Sequence, residues 1–466
     1  MMAAPHERNV KSHLTMGPGA VADAADVRAA PPVEGLEAPD PALAEVAHLL
    51  RRLAFGAPPG RARELLDRHG SPEGVRRALL DAPPLPFEPP GDLDAGLEDA
   101  PEALDDPDRL VVWWVRRMRS AEVGVHERMC WTWHTLFTTS VDEAPTALCW
   151  RQLRTLHQHA TGNFGQLLRA LLDDAALLVF LDADGSRRQE PNENLARELL
   201  ELFTLGRGAY GQSDVEAGAV VLAGRHLDWA SGAVTVDPEA PRVRARPYLG
   251  RDDVVDLDGL CAAILEHDAC AVHVVRHVVA ALVGTEVDQA DLDRWAQDFR
   301  AGGYEIAPLI EAVTAADVFG AARSARPRSG LEWFVAALDA TGHDEWNAWD
   351  LHTLGQMPYR PPGVAGWPGD ERWTSATAAL GRGTWITWFD PPAAEALAQV
   401  AATGGGDRLV EAVLDRCSLH EVSRRTRRAL QALAADLLPF DASEDPGPAA
   451  VAVLRAAALT PEFSRA

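Results

Sequence analysis

Apolar residues recur every three or four positions along most of the chain, which places them on one face of an α-helix. The pattern predicts helices over 41–54, 61–69, 72–80, 110–120, 122–137, 145–159, 163–180, 192–205, 213–223, 257–283, 288–301, 305–315 and 329–340. It resumes over 391–402, 407–416, 418–437 and 447–459. The punctuation agrees with this. Gly56, Gly70 and Gly206 follow the last apolar residue of a run, where a left-handed residue closes a helix. Ser71-Pro72-Glu73 supplies an N-cap, a first-turn proline and an acidic side chain. Period-two alternation occurs only within 227–250 and predicts at most a small hairpin. Two stretches follow neither period: the Pro- and acid-rich 82–107, and 354–373 (LGQMPYRPPGVAGWPGDERW) with four Pro, four Gly and two Trp. A loop that long inside a compact body is functional or tightly docked. Residues 1–38, rich in Ala, Pro and acidic side chains, read as disordered. Residues 39–466 read as one large all-α body with long irregular loops.

The most sharply patterned stretch is 191–206, PNENLARELLELFTLG. Leu195, Leu199, Leu202 and Phe203 share one face, and Asn194, Arg197, Glu198 and Glu201 share another. Asn192 suits the N-cap, and Glu193 puts negative charge in the first turn, where the macrodipole favours it. Glu193, Arg197 and Glu201 repeat every four residues, so an arginine stands between two carboxylates. Glu198 and Glu201, at i and i+3, are spaced to meet one divalent metal ion, with Glu193 as a third ligand and Asn194 adding an amide oxygen. The His of a Glu-x-x-His metal helix is missing, and a salt-bridge network explains the same spacing. The polar face is either solvated or a packed polar network.

Histidines give further candidates. His126, Cys130 and His134 lie at i, i+4 and i+8, where neighbours could share a transition metal. The outer two are about 12 Å apart on a straight helix, so all three cannot reach one ion; mixed packing beside Trp131 and Trp133 is the plainer reading. His273 and His277 sit among Val and Ala and read as hydrogen-bonded core. His157 and His159 face different ways, so one would point into a polar site. No GxSxG, HExxH, P-loop or strand-linked GxGxxG occurs, so Ser/His/Asp catalysis has no positional support.

Composition narrows the partners. A net charge of −25 excludes a nucleic-acid backbone as a natural ligand. Lys11 is the single lysine, so the arginine excess reads as coding bias and says little about phosphate binding. Fourteen Trp against four Tyr point to core packing or to a lined cavity. Five cysteines without a CxxC read as buried free thiols in a reducing compartment. No signal-like apolar segment and no run of about 18 apolar residues is present, so a cytoplasmic protein is expected.

The motifs together resemble the domain of unknown function 1800 family. HLLRRLAFG (48–56) is similar to its opening and RMCWTWHTLFTTS (128–140) to its Trp- and His-containing helix. GNFGQLLRALLDDAALLVFLD (162–182) leads into PNENLARELLELFTLG as in the family; 326–332 resembles its Lys-Ser-Pro-x-Glu helix start. The loop 354–373 resembles its Gly-Gln, Pro-Pro and Gly-Trp-Pro segment, and LTPEFSRA its close. The resemblance implies a helical, mostly uncharacterised bacterial protein in which the polar face of 191–206 is buried. Its gene neighbour is often a domain of unknown function 1501 protein, similar to alkaline phosphatases and sulfatases. Many members carry export signals. Two departures stand out: Leu136 replaces the His of Phe-Trp-x-x-His-Phe, and Arg225 replaces the Trp of Ala-Leu-Thr-Gly-Trp. They suggest a specialised branch, as in secondary metabolism.

Two functions are expected from this reading. The first is a metal-assisted oxidoreductase or hydrolase of a small molecule. Glu198, Glu201, Arg197 and His134 would be catalytic, and Asn194, Gln356, Trp367 and His159 would bind substrate. The second is a non-catalytic helical partner for a neighbouring enzyme, such as a domain of unknown function 1501 protein. Leu136 and Arg225 favour it, since both replace residues of the family's site.

Overall fold

The computed structural model describes residues 33–56, 58–88, 106–120, 122, 124–237, 243–284, 286–438 and 445–466. Within them the chain is mainly α, with α-helices running from Pro41–Leu53 to Gly447–Ala458. The β-structure is three antiparallel two-stranded pairs. No helix among the described residues is long and apolar enough to cross a membrane. Of the segment expected to be disordered, residues 1–32 lie outside the described residues, while Leu36–Glu37 pairs with Val422–Ser423.

Local chemistry sets most helix ends. Asp40 Oδ1 accepts from Leu43 N–H at 3.1 Å and starts the opening helix, Pro41–Leu53. Ser329 and Glu332 form a reciprocal capping box on Gly330–Thr341, a helix buried all round. The expected helix 163–180 is two, Phe164–Leu171 and Ala175–Phe180, because Asp174 caps the second by accepting from Leu177 N–H at 2.9 Å. The expected 257–283 likewise breaks where His267 leaves helical geometry (ψ 130°) and accepts from Ala269 N–H. The single hairpin expected within 227–250 is two: Arg225–Asp228 with Ala233–Val236, and Arg246–Tyr248 with Arg251–Val254. Helices Ala348–Thr353 and Ala376–Thr387 lie outside the expected set.

The stretch 191–206 folds as Asn194–Glu198 continued by a π-helical Leu199–Thr204. Leu205 N–H reaches back five residues to Leu200 O at 3.0 Å, and Thr204 Oγ1 donates to Leu199 O at 2.6 Å. Such wide turns recur at functional positions. Gly206 ends the helix at φ +82°, as its place after the apolar run implies.

One core cluster unites the molecule and contains Trp114, Trp133, Trp150, Trp333 and Trp385, each almost wholly buried. Core packing therefore accounts for much of the tryptophan content. The five cysteines are free and buried. The loop 354–373 is docked, with Val141 N–H donating to Tyr359 O at 2.9 Å and Leu331 N–H to Gln356 Oε1 at 3.0 Å. Gly366 sits at φ +73°, and a Cβ there would lie 2.8 Å from Thr135 O, so only glycine permits the approach.

Candidate functional site

Two of the nominated residues, His134 and Trp367, meet in one seam between the tryptophan helix Val125–Leu136 and the docked loop, while Gln356 on the same loop accepts from Leu331 N–H on helix Gly330–Thr341. His134 is fully buried, and its Nε2 accepts from Tyr359 N–H at 3.2 Å. That bond assigns the proton to Nδ1, which has no partner among the described residues. Burial pushes the imidazole down to about 3, so it is neutral across ordinary pH. Tyr359 packs on it with ring centroids 4.3 Å apart, and Trp114, Trp131 and Trp367 stand 5.1, 5.5 and 5.5 Å away. Trp367 is half-buried and forms the outer wall.

Tyr359 escaped the sequence reading. It is fully buried at φ +59°, a backbone region that costs a bulky residue energy, and its hydroxyl has no partner among the described residues. Asp174, Cys149 and Cys130 are its electrostatic neighbours. Thr139 Oγ1 donates to Gln152 Oε1 at 2.7 Å, and Gln152 Nε2 donates to Asp174 Oδ1 at 3.3 Å. Burial pushes the Asp174 carboxyl up to about 7, so it can hold or release a proton near neutrality. The buried Thr138 hydroxyl is also unpartnered among the described residues. Single residues such as Thr138 and Asp174 carry no spacing signal; the Met-Pro-Tyr turn in the long loop was the one available clue. Leu136, where the family pattern has His, is buried among apolar neighbours.

The signature helix presents a different surface. Its polar face is half-exposed, not buried: the Glu193 and Arg197 side chains are 37% and 40% accessible. Arg197 donates to Glu193 at 2.9 Å and to Gln212 at 3.1 Å, but does not bridge to Glu201. Glu201 accepts instead from Arg207 at 2.6 Å and from the Tyr210 hydroxyl at 3.0 Å. Glu198 is held above its ordinary value by burial and then by the Glu201 charge. Asn194 Nδ2 donates to Leu181 O at 3.1 Å, a structural bond. Among the described residues, no hydrogen bond, ion pair or ring contact joins Glu198, Glu201, Arg197 or Asn194 to His134, Gln356 or Trp367. The helix meets the tryptophan helix through apolar rings, Phe203 on Phe137 at 5.1 Å.

The remaining candidates separate as well. His159 is half-buried at the end of Thr146–His159 and makes no described bond to the seam. Its neighbour His157 is the inward one, with Arg117 Nη2 2.7 Å from Nε2. His273 and His277 bond the carbonyls of Leu202 and Thr132, as structural core histidines do. His126 reaches Thr161, not His134. No group of three or more His, Cys, Asp or Glu side chains among the described residues is placed to hold a metal ion, the set Glu193, Glu198 and Glu201 included. Arg225 is consumed structurally: it pairs with Asp173 at 3.1 Å and caps the carbonyls of Val221 and Leu222, favourable for a cation at a helix C-terminus.

Residues 48–465 match the model of a family described as a protein of unknown function, DUF1800. Neither the curated proteins nor the solved structures give a match.

Proposed function

This chain belongs to the DUF1800 family, and from that premise we propose that it is an enzyme moving protons on a small organic molecule in the seam between the tryptophan helix and the loop 354–373. The observation that carries this is the pairing of a neutral, buried His134 with Tyr359, whose backbone is strained and whose hydroxyl is unpaired. Buried polar atoms without partners and left-handed bulky residues both cost stability, and proteins keep such costs where a ligand recovers them. In this reading His134 Nδ1–H and the Tyr359 hydroxyl donate to charge that develops on the substrate, and Trp131 and Trp367 clasp its apolar part. Gln356 acts through the backbone, holding the loop on helix Gly330–Thr341. Hydrolysis and isomerisation both fit this chemistry.

The test is Tyr359→Phe in the producing cell. The variant is expected to fold and melt no lower than wild type, because an unpaired buried hydroxyl is removed. Cells carrying it are expected to accumulate the same small molecule as cells lacking the protein. A folded variant with a wild-type metabolite profile overturns the reading.

A second reading, a helical partner for a neighbouring enzyme, is favoured by one surface. Trp349 (66% exposed), Leu380 (71%) and Trp388 (55%) stand on or beside the adjoining helices Ala348–Thr353 and Ala376–Thr387. Exposed aromatic residues of this kind mark contact sites. Co-purification of a neighbouring gene product, lost in Trp349→Asp, would support it over the enzyme.

A further inference from the structure

Six arginines drawn from four segments are buried together: Arg51 and Arg52 on the opening helix, Arg128 on the tryptophan helix, Arg326 and Arg328 before Gly330–Thr341, and Arg382 on Ala376–Thr387. None is more than 8% exposed. Their common centre is Glu332, whose charge acts on Arg52, Arg128, Arg326, Arg328 and Arg382. Glu332 accepts from Arg128 at 2.6 Å, from Arg326 and from Ser329 N–H at 2.9 Å, three of the roughly four bonds a carboxylate can accept. Two more acids stand at the rim, Asp370 facing Arg326 and Arg52, and Glu421 facing Arg51. Asp370 is itself raised by desolvation. Arg323 stands 3.8 Å from Glu421 and Arg465 acts on Asp370, so the guanidiniums outnumber these three carboxylates.

Backbone carbonyls take some of the donors without neutralising them. Arg52 Nη2 reaches Ala322 O at 3.2 Å, Arg128 Nε reaches Ala54 O at 2.9 Å, and Arg382 Nη2 reaches Arg328 O at 2.7 Å. Arg51 Nε, Arg52 Nε and Nη1, Arg326 Nε and Arg328 Nη1 are buried with no partner among the described residues. Burial pushes Arg51 down to about 10 and Arg328 to about 9, still above neutral pH, so the charge stays. A buried, unbalanced charge is among the most costly features a fold can hold.

The arginines are also fixed in place. Aromatic faces back three of them: Phe55 lies 4.2 Å from the Arg128 guanidinium, Phe463 4.8 Å from Arg328 and Trp333 5.8 Å from Arg382. Gly284, at φ +65°, makes room for Arg326, since a Cβ there would overlap the Arg326 Cδ at 2.1 Å.

We propose that this cluster is a structural anion site, holding one small tetrahedral oxyanion, inorganic phosphate or sulfate, on the free guanidinium donors of Arg51, Arg52, Arg326 and Arg328. Guanidinium forks match such oxygens in geometry and charge. The burial of all four side chains favours a free ion over the phosphoryl group of a large metabolite. Bound there, the ion would join the opening helix to helix Gly330–Thr341, on which the loop 354–373 is docked. The proposal stands apart from the proton-transfer reading.

The test uses the full chain exchanged into chloride buffer. Inorganic phosphate or sulfate, added at constant ionic strength, is expected to raise the melting temperature by several degrees in a saturable way. Equilibrium dialysis with labelled phosphate should give one ion per chain. Arg52→Met and Arg328→Gln are each expected to abolish the shift. Arg52→Met should also melt above wild type in chloride, because it removes an unbalanced charge and keeps the volume. The exposed Arg197→Gln should keep the full shift. Absence of saturable binding to wild type, or a shift that survives in Arg328→Gln, overturns the proposal; the wild-type measurement decides even where Arg52→Met does not fold.

Discussion

The signature helix and the arginine cluster both concentrate charge, and they handle it in opposite ways. On the signature helix Arg197 finds Glu193 four residues away and Glu201 finds Arg207 six away, all partly in water. Both pairs are local, formed between residues four and six apart. In the cluster Arg128 meets Glu332 across 204 residues, with Arg326 and Arg52 as like-charged neighbours. That region cannot balance itself locally and depends on the assembled fold. A conspicuous charge pattern in sequence is thus the less demanding arrangement, and the costly one is invisible until distant segments converge.

The contrast predicts where substitutions hurt. Glu332→Gln should have the largest effect, about 3–5 kcal/mol of lost stability in chemical denaturation, because it strips the hub of a buried set of charges. The pH dependence follows from the same group. The arginines hold the Glu332 carboxyl well below its ordinary value, so its contribution is complete above the unfolded-state pKa, roughly 4.3. It fades as acid protonates the folded group. A loss near zero for Glu332→Gln would break the comparison.

Next in size is Gly366→Ala. It places a Cβ against Thr135 O at a left-handed position and should cost about 1–3 kcal/mol while loosening the loop. Greater protease cleavage within 354–373 would report that loosening, and unchanged melting would show that the loop is not pinned there.

A smaller effect is expected at His134. Its folded pKa, near 3, lies below the ordinary 6.5, so the unfolded chain takes up the proton first. Stability is therefore full above about pH 6.5 and falls as pH drops toward 3. His157 and His277, held to about 3 and 4, add to the same slope. His134→Gln should lessen that slope by up to one proton. An identical slope in the variant would place His134 outside the acid response.

Smallest of all, Glu201→Gln and Arg197→Ala should each change stability by less than about 1 kcal/mol, since each pair has a partner open to water. Chelation should leave their melting and that of wild type unchanged. A large loss at Glu201, or a chelator-sensitive melt, would reinstate the signature helix as the chemical centre.

Sequence periodicity located most helices, because burying one face requires a spacing that neighbouring residues reveal. Breaks at Asp174 and His267 were missed, since each depends on one side chain bonding a backbone N–H while helical apolar spacing continues on both sides. Of the candidate site, His134, Gln356 and Trp367 were legible because each stood in an unusual motif. Tyr359 was not, since its burial and strained backbone arise from docking the loop on a helix more than 200 residues earlier.

By itself, then, the sequence determined the helical class, many of the helix caps and the family. These are set by residues within a turn or two of each other. The tertiary structure decided which polar groups are buried, which lack partners and where like charges meet. It did so because desolvation depends on the whole surrounding body, and nothing local in the chain reports it.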